Sequence, residues 1–286
     1  MSSVLLAACS QQPAPDDFNY EVDRFADVQI LRYKVNNFDK LTLNQKLLVY
    51  YLSQAAIEGR DILYDQNHKN NLAIRKMLEA VYVNYKGNRN SAEFEALTTY
   101  LKQVWIGNGI HHHYSEDKFT PLYPESFLKE AVLSIDSTLL PLAEGENVNG
   151  FMARIFPVIF DPALYPKRTN QEDGVDLIQT SANNFYEGVT QAEVEAFYKQ
   201  MADPSDPRPV SYGLNSKVVK KDGKVQELKW KVGGMYSDQL IRIVGWLHKA
   251  VEVAENDIQK KVISSLIEYY ETGDLATYDK YSIFIE

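Results

Sequence analysis

Three apolar stripes of helical period, separated by glycine and capping signals, decide most of what the first hundred residues can become. Leu47, Leu48, Tyr51, Leu52, Ala55 and Ala56 recur on one helix face, and Ile74, Met77, Leu78, Val81, Tyr82 and Tyr85 do the same. Phe94, Leu97, Leu101 and Val104 form the third stripe. Core packing accounts for all three, and no cofactor is needed to explain them. The boundaries agree with the stripes. Thr42-Leu-Asn-Gln45 fits a capping box, Ser91 opens the third helix, Gly87 closes the second, and Gly107 and Gly109 stop the third.

The pattern then changes twice. A short helix is predicted after Pro124 over Phe127, Leu128, Ala131 and Val132, and residues 139–170, with prolines 141, 157, 162 and 166, read as irregular. Thr190-Gln-Ala-Glu193 is a second capping box, ahead of Val194, Phe197 and Met201. The run Asp-Pro-Ser-Asp-Pro-Arg-Pro at 203–209 is a hard break, because each proline fixes its own φ and restricts its neighbour. Beyond it the period drops to two. Leu214, Ser216 and Val218 alternate with polar neighbours, as do Leu228, Trp230 and Val232, with the hairpin dipeptide Asp222-Gly223 between them. Two helices follow, one on Leu240, Val244, Leu247, Val251 and Ala254, the other on Ile258, Val262, Leu266 and Tyr269, stopped at Gly273. The final Tyr-Ser-Ile-Phe-Ile-Glu at 281–286 reads as the start of another strand, so a continuation is expected. The expected fold class is α+β, mostly helical. Its regions are a leader remnant and tether (1–20), a helical region (21–166) and a mixed α/β region (167–286) truncated at its C-terminus.

A formal charge of −9 disfavours nucleic acid, which demands clustered Lys and Arg, so no such partner is expected. The single cysteine, Cys9, cannot form an intramolecular disulfide. Val4-Leu-Leu-Ala-Ala-Cys9-Ser10 matches the site at which bacterial lipoproteins are cleaved and lipidated, and the polar, Pro-containing residues 11–17 look like a tether. A secretory signal has a basic leader and an apolar run of ~7–15 residues. Here the leader is missing and the run is short, so a late start or a trimmed leader is expected. Lipidation of Cys9 and anchoring in the bacterial cell envelope, on the periplasmic side, follow as expectations, with a cytoplasmic location as the alternative. No other segment approaches the ~20 apolar residues that span a bilayer.

The least ordinary segment runs from Trp105 to Pro121 and holds three of the five histidines, His111, His112 and His113. In an extended chain His111 and His113 would point one way and His112 the other. Tetrahedral zinc needs four donors at about 2.0–2.3 Å, so neighbouring histidines supply two at most, with Glu116 or Asp117 as a third. A solvated loop accounts for the same residues, and no metal is expected here. Glu116 and Asp117 are also candidates to draw a ligand's ammonium, against a default of solvation. His248, beside Trp246 in a helical stripe, reads as a core or boundary residue. His68, in Asp65-Gln-Asn-His-Lys69, reads as surface, and Asn183, Asn184 and Tyr186 read as ordering a turn.

The stretch Gly107-Asn-Gly-Ile-His-His-His-Tyr-Ser-Glu-Asp-Lys-Phe-Thr-Pro121 resembles a loop of dipeptidyl peptidase III that runs from an Asn-containing glycine turn to a Lys-Phe-x-Pro ending. Tyr50-Tyr-Leu-Ser-Gln-Ala-Ala56 is similar to that family's early helix, and Gln179-Thr-Ser-Ala-Asn-Asn-Phe-Tyr-Glu-Gly-Val189 to a further tract. The hairpin from Tyr212-Gly-Leu-Asn-Ser-Lys217 and the helix from Tyr236 follow the bacterial branch in the same order. The resemblance runs from about residue 24 to 284 and covers less than half of a full family member. It implies a zinc exopeptidase that removes dipeptides from the amino end of short peptides, with two lobes around a wide cleft. In that family the zinc sits in the helical upper lobe on an HExxGH motif with a third ligand from a later Glu-rich motif, and the motif's glutamate activates the zinc-bound water.

No histidine of this chain precedes a glutamate; the residues that follow are Lys69, His112, His113, Tyr114 and Lys249. The catalytic upper-lobe zinc segment is therefore absent from it, and no catalytic residue is expected. The hairpin is read as part of an incomplete β barrel, and zinc is expected in the full-length family member but not on this fragment. The resemblance puts His113 and Tyr114 at the hydrophobic subsite for the peptide's amino end and makes Asn108 a polar contact or a turn. Ordinary loop packing is the competing account of Tyr114. Two functions follow. One is the amino-terminal part of a zinc dipeptidyl peptidase, inactive alone, with oligopeptide substrates and the enzyme's remaining C-terminal part as partners. The other is a non-catalytic envelope lipoprotein that binds peptides.

Overall fold

The computed structural model describes residues 18–285, so Cys9 and the 11–17 tether lie outside the described residues. The chain forms two compact units, 1–39 and 40–286. In the first, β1 (Glu21–Phe25) pairs antiparallel with β2 (Val28–Leu31). Sequence reading assigns residues 21–31 to a helical region, and the structure makes them a hairpin. The turn carries none of the usual glycine signals: Ala26 takes φ 46° without one.

The second unit holds eleven α-helices among the described residues. They are α1 (Leu43–Glu58), α2 (Arg60–Asn67), α3 (Asn71–Asn84), α4 (Ala92–Gly107), α5 (Glu125–Leu133), α6 (Val148–Phe160) and the single turn α7 (Leu177–Thr180). After β3 (Tyr186–Glu187) come α8 (Gln191–Lys199), the hairpin β4 (Ser216–Lys221) and β5 (Lys224–Lys229), and then α9 (Ser237–Glu252), α10 (Asp257–Thr272) and α11 (Leu275–Ile285). Both predicted capping boxes form: the Thr42 and Thr190 hydroxyls accept the third backbone N–H while Gln45 and Glu193 reach back. The fold is mostly helical with the small antiparallel hairpin, as the periods require. Asp222 (φ 51°) and Gly223 (φ 75°) turn it, the pair of positive φ values that a two-residue turn demands. The short β3 adds itself parallel to β4, giving the order β3-β4-β5. No helix among the described residues is long and apolar enough to cross a membrane.

Two larger cores organise this unit. The predicted stripes of α3 and α4 meet α5 and α6 through Ile74, Leu78, Leu101, Leu128, Phe151 and Ile155, all fully buried. Leu48 and Ala55 of α1 pack with Leu240, Leu247 and Ile263 of α9 and α10. Residues 148–160, expected to be irregular, instead form a central helix. Its buried Phe151, Met152, Ile155, Phe156 and Ile159 keep a helical period, but Pro157 sits inside its last turn and reads in the sequence as a break. Residues 281–285, expected to begin a strand, continue α11. Local caps win over the β-prone composition there: Asp274 accepts the Ala276 and Thr277 N–H groups, and Tyr278 packs on Tyr269 with ring centroids 4.9 Å apart.

His248 is exposed, because the buried arc of α9 runs through Leu240, Ile243, Val244, Leu247 and Ala250 and leaves residue 248 just outside it. The sheet is tied to the helices by a buried cation. Lys217 on β4, 7% exposed, donates to the Asn184 side-chain oxygen at 2.8 Å and to Glu187 at 2.5 Å. Lys217→Met is expected to lower unfolding stability by ~1–3 kcal/mol through the orphaned amide oxygen, read as a drop in the urea midpoint at unchanged slope.

Candidate functional site

The histidine segment is a tight hairpin rather than an extended strand, and the end of α4 sets its start. Asn108 caps that helix in the left-handed region (φ 49°), and its carbonyl accepts from Asn67 Nδ2 at 3.1 Å. Gly109 follows at φ 145°, so close to α3 that a Cβ there would lie 2.0 Å from Asn71 Nδ2. Buried Asn71 then receives the Ile110 N–H on its Oδ1 at 3.2 Å. The hairpin closes through His112 N–H to Asp117 O (2.8 Å), Phe119 N–H to Ile110 O (2.8 Å) and Glu116 N–H to His112 O (3.1 Å), with Glu116 itself at φ 64°.

The three histidines have different roles in this hairpin. His111 is buried and donates from Nε2 to the Tyr165 carbonyl at 2.9 Å; burial pushes its pKa down to about 4. His112 turns its Nδ1 to its own backbone, accepting the N–H groups of Tyr114 and Ser115 at 3.1 Å each. His113 is half-buried between the rings of His112 (4.6 Å) and Tyr114 (4.3 Å), while Tyr114 is 84% exposed. No group of three His, Cys, Asp or Glu side chains among the described residues is arranged to hold a metal.

Lys118 closes the loop onto the helical core. Its Nζ donates to the carbonyls of Val158 (3.0 Å), Asp161 (2.5 Å) and Leu164 (2.7 Å), capping the end of α6, and burial lowers its pKa. The acidic pair is engaged as well. Arg168 grips Glu116 through two donors and Lys167 meets Asp117 at 2.6 Å; those hydrogen bonds hold both carboxyls below their ordinary range. Both carboxylates therefore stand charged in ion pairs, where the default expectation is solvation. Beside the pair, Tyr114, Ser115, Glu116, Lys167, Asn170 and Glu172 line a polar cavity of about 530 Å³. Of the residues singled out, Tyr114 stands on this cavity, His113 supports its ring, and Asn108 sits at the far end of the hairpin as a helix cap.

Residues 166–168 divide this cavity from a second one. On one side the Pro166 carbonyl accepts Lys118 N–H (3.0 Å) and Arg168 N–H reaches Glu116 O (2.9 Å). On the other, Ala182 N–H and Asn183 N–H donate to the carbonyls of Lys167 and Arg168 at 3.0 and 3.1 Å. The second cavity, about 520 Å³, is lined by His68, Lys69, Tyr165 and much of residues 178–189.

His68, expected at the surface, is 1% exposed and packs on Tyr165 at 4.5 Å. It sits at the α2–α3 junction, where a polar run with no apolar stripe gives no hint of burial. Behind it runs a polar chain. Tyr236 OH donates to Asp65 at 2.6 Å, Asn184 Nδ2 to the same oxygen at 3.1 Å, and Lys217 to Asn184. Asn184 N–H also reaches the Gln66 carbonyl at 2.8 Å, so the turn expected there anchors the sheet to α2. Sequence spacing holds no signal for contacts between residues this far apart.

Two predictions follow. Gly109→Ala combines a positive φ with the Asn71 clash and is expected to cost ~2–4 kcal/mol of stability, read from the thermal or urea midpoint. The buried imidazoles make stability pH-dependent. His68 and His111 titrate at about 3 and about 4 in the fold against 6.5 for the free side chain, so below pH 6.5 the unfolded chain binds more protons. Stability is full above pH 6.5 and falls as pH drops toward the folded values, by about 1.4 kcal/mol per pH unit for each histidine. Urea midpoints measured between pH 7 and pH 5 should show this slope, and His111→Gln should remove its share.

Residues 181–284 match the model of peptidase family M49. No curated protein sequence matches the chain. Among solved structures, the chain is similar to dipeptidyl peptidase III from Corallococcus sp. strain EGB, with a TM-score of 0.50, 18% identity, and coverage of 87% of this chain and 34% of that one. It is also similar to the enzyme of that name from Caldithrix abyssi, with a TM-score of 0.48, 19% identity, and coverage of 83% and 32% respectively. The chain thus spans about a third of the length of the solved proteins it matches. The likeness to the Corallococcus protein is one of fold, and it agrees with the resemblance read from the sequence.

Proposed function

We propose that this chain is the amino-terminal part of a zinc-dependent dipeptidyl peptidase, that it furnishes one wall of a cleft holding short peptides, and that it is inactive alone. The observation that carries this reading is the match of residues 181–284 to peptidase family M49. The matched stretch opens on residues 181–189, the wall of the cavity beside His68.

On this reading oligopeptides are the substrates. Tyr114 offers an exposed aromatic face to an apolar side chain near the peptide's amino end, His113 stiffens that face by stacking, and Asn108 shapes the turn that presents it. Glu116 and Asp117 are already paired, with Arg168 and Lys167. Zinc and the water-activating carboxylate belong to the remaining C-terminal part, the partner this chain requires. Lipid anchoring through Cys9 in the bacterial envelope completes the proposal and rests on the residues before it.

Purified chain incubated with zinc and a chromogenic dipeptidyl substrate is expected to release no chromophore above blank. Clear zinc-dependent release would overturn the proposed division of labour.

A further inference from the structure

We propose that the cavity between the α2–α3 junction and residues 178–189 binds a small carboxylate, no larger than a dipeptide, through the ring N–H of His68 and the ammonium of Lys69. The assignment stands apart from the peptidase reading, since binding here requires no hydrolysis and no zinc.

Hydrogen bonding sets the tautomer of His68. The Asn70 N–H points at Nδ1 from 3.3 Å, so Nδ1 accepts and the neutral ring carries its proton on Nε2. The ring stays neutral because burial depresses its pKa to about 3. Nε2 is therefore an N–H donor, and it is fully buried without a hydrogen-bond partner among the described residues. A donor left so costs ~1–3 kcal/mol, a cost that an acceptor held in the cavity would offset.

The charges around the cavity select the acceptor. Lys69 is exposed at the rim, forms no ion pair among the described residues, and its charge reaches both His68 and Glu187. Glu187 is the cavity's one carboxylate and is held by Lys217 at 2.5 Å. Glu187 is thus already met by Lys217, which leaves Lys69 as the cation on the cavity wall without an ion pair among the described residues, and a single negative charge would pair with it. A phosphate's second charge would have one neutral N–H and one ammonium to meet it, with Glu187 opposing, so a monoanion fits better. About 520 Å³ accommodates a dipeptide, and Ile178, Val189 and the Tyr165 ring offer an apolar wall for its side chains.

The test uses the whole chain, free of zinc, with ¹³C-labelled histidine rings, titrated with alanylalanine and with its C-terminal amide. The acid is expected to shift the His68 ring signal saturably and to raise its titration midpoint, because a nearby carboxylate favours the imidazolium. The amide is expected to do neither. Lys69→Met, an exposed change that leaves the fold intact, should weaken binding of the acid about fivefold. His68→Gln, which keeps a side-chain N–H, should retain more affinity than His68→Phe.

Equal binding of acid and amide, indifference to Lys69→Met, or no saturable His68 shift would overturn the proposal. A shift at His113 with His68 silent would also overturn it, while leaving the peptide cleft proposed around Tyr114 untouched.

Discussion

The ammonium of Lys118 is the contact on which the ordering of both cavities depends. The last carbonyls of a helix have no partner within it and carry the negative end of its dipole. Lys118 meets them with three charge-assisted bonds, to Val158, Asp161 and Leu164, and these offset the cost of withdrawing a cation from water. One side chain thereby joins the histidine hairpin, the end of α6 and the proline-rich turn after it. Tyr165 is the immediate beneficiary. Held at φ 57°, it gives its carbonyl to His111 and its ring to His68.

That arrangement explains why a loop rich in histidine and acid is chemically quiet. His111 serves as a structural donor, His112 folds its own turn, and His113 is packed between rings. Arg168 and Lys167 neutralise Glu116 and Asp117. What the loop presents is shape and an aromatic face, with little net charge. Beyond the loop's own unpartnered His111 and His113 Nδ1 atoms, unmet polar capacity lies across residues 166–168, at His68 and Lys69, beside the start of the M49-matched stretch.

Local patterns were legible wherever one face of an element is buried and the other is wet. The stripes of α3, α4 and α9, the Thr42 and Thr190 boxes and the Asp222-Gly223 turn all stand as expected, because each is specified within a few residues. In α10, by contrast, the buried face runs through Ile263 and Ile267 and leaves Ile258 exposed. α6 escaped although Asn149, Gly150, Ala153, Arg154 and Pro157 lie exposed on one face, because Pro157 and the prolines around it imitate breaks. The β1–β2 turn escaped because a non-glycine residue occupies its left-handed position, and α11 because its caps override a strand-like composition.

By itself, the amino-acid sequence determined the helical class, the hairpin, the place of the unusual loop and the likeness to dipeptidyl peptidase III. Those depend on period, capping and residue order, which are local properties of the chain. Only the tertiary structure decided that His68 is buried and His248 is not, that the acidic pair is neutralised, and that Asp65, Asn184, Lys217 and Tyr236 form one polar chain. Burial and pairing arise between residues tens to more than a hundred positions apart, and no local pattern records which of them meet.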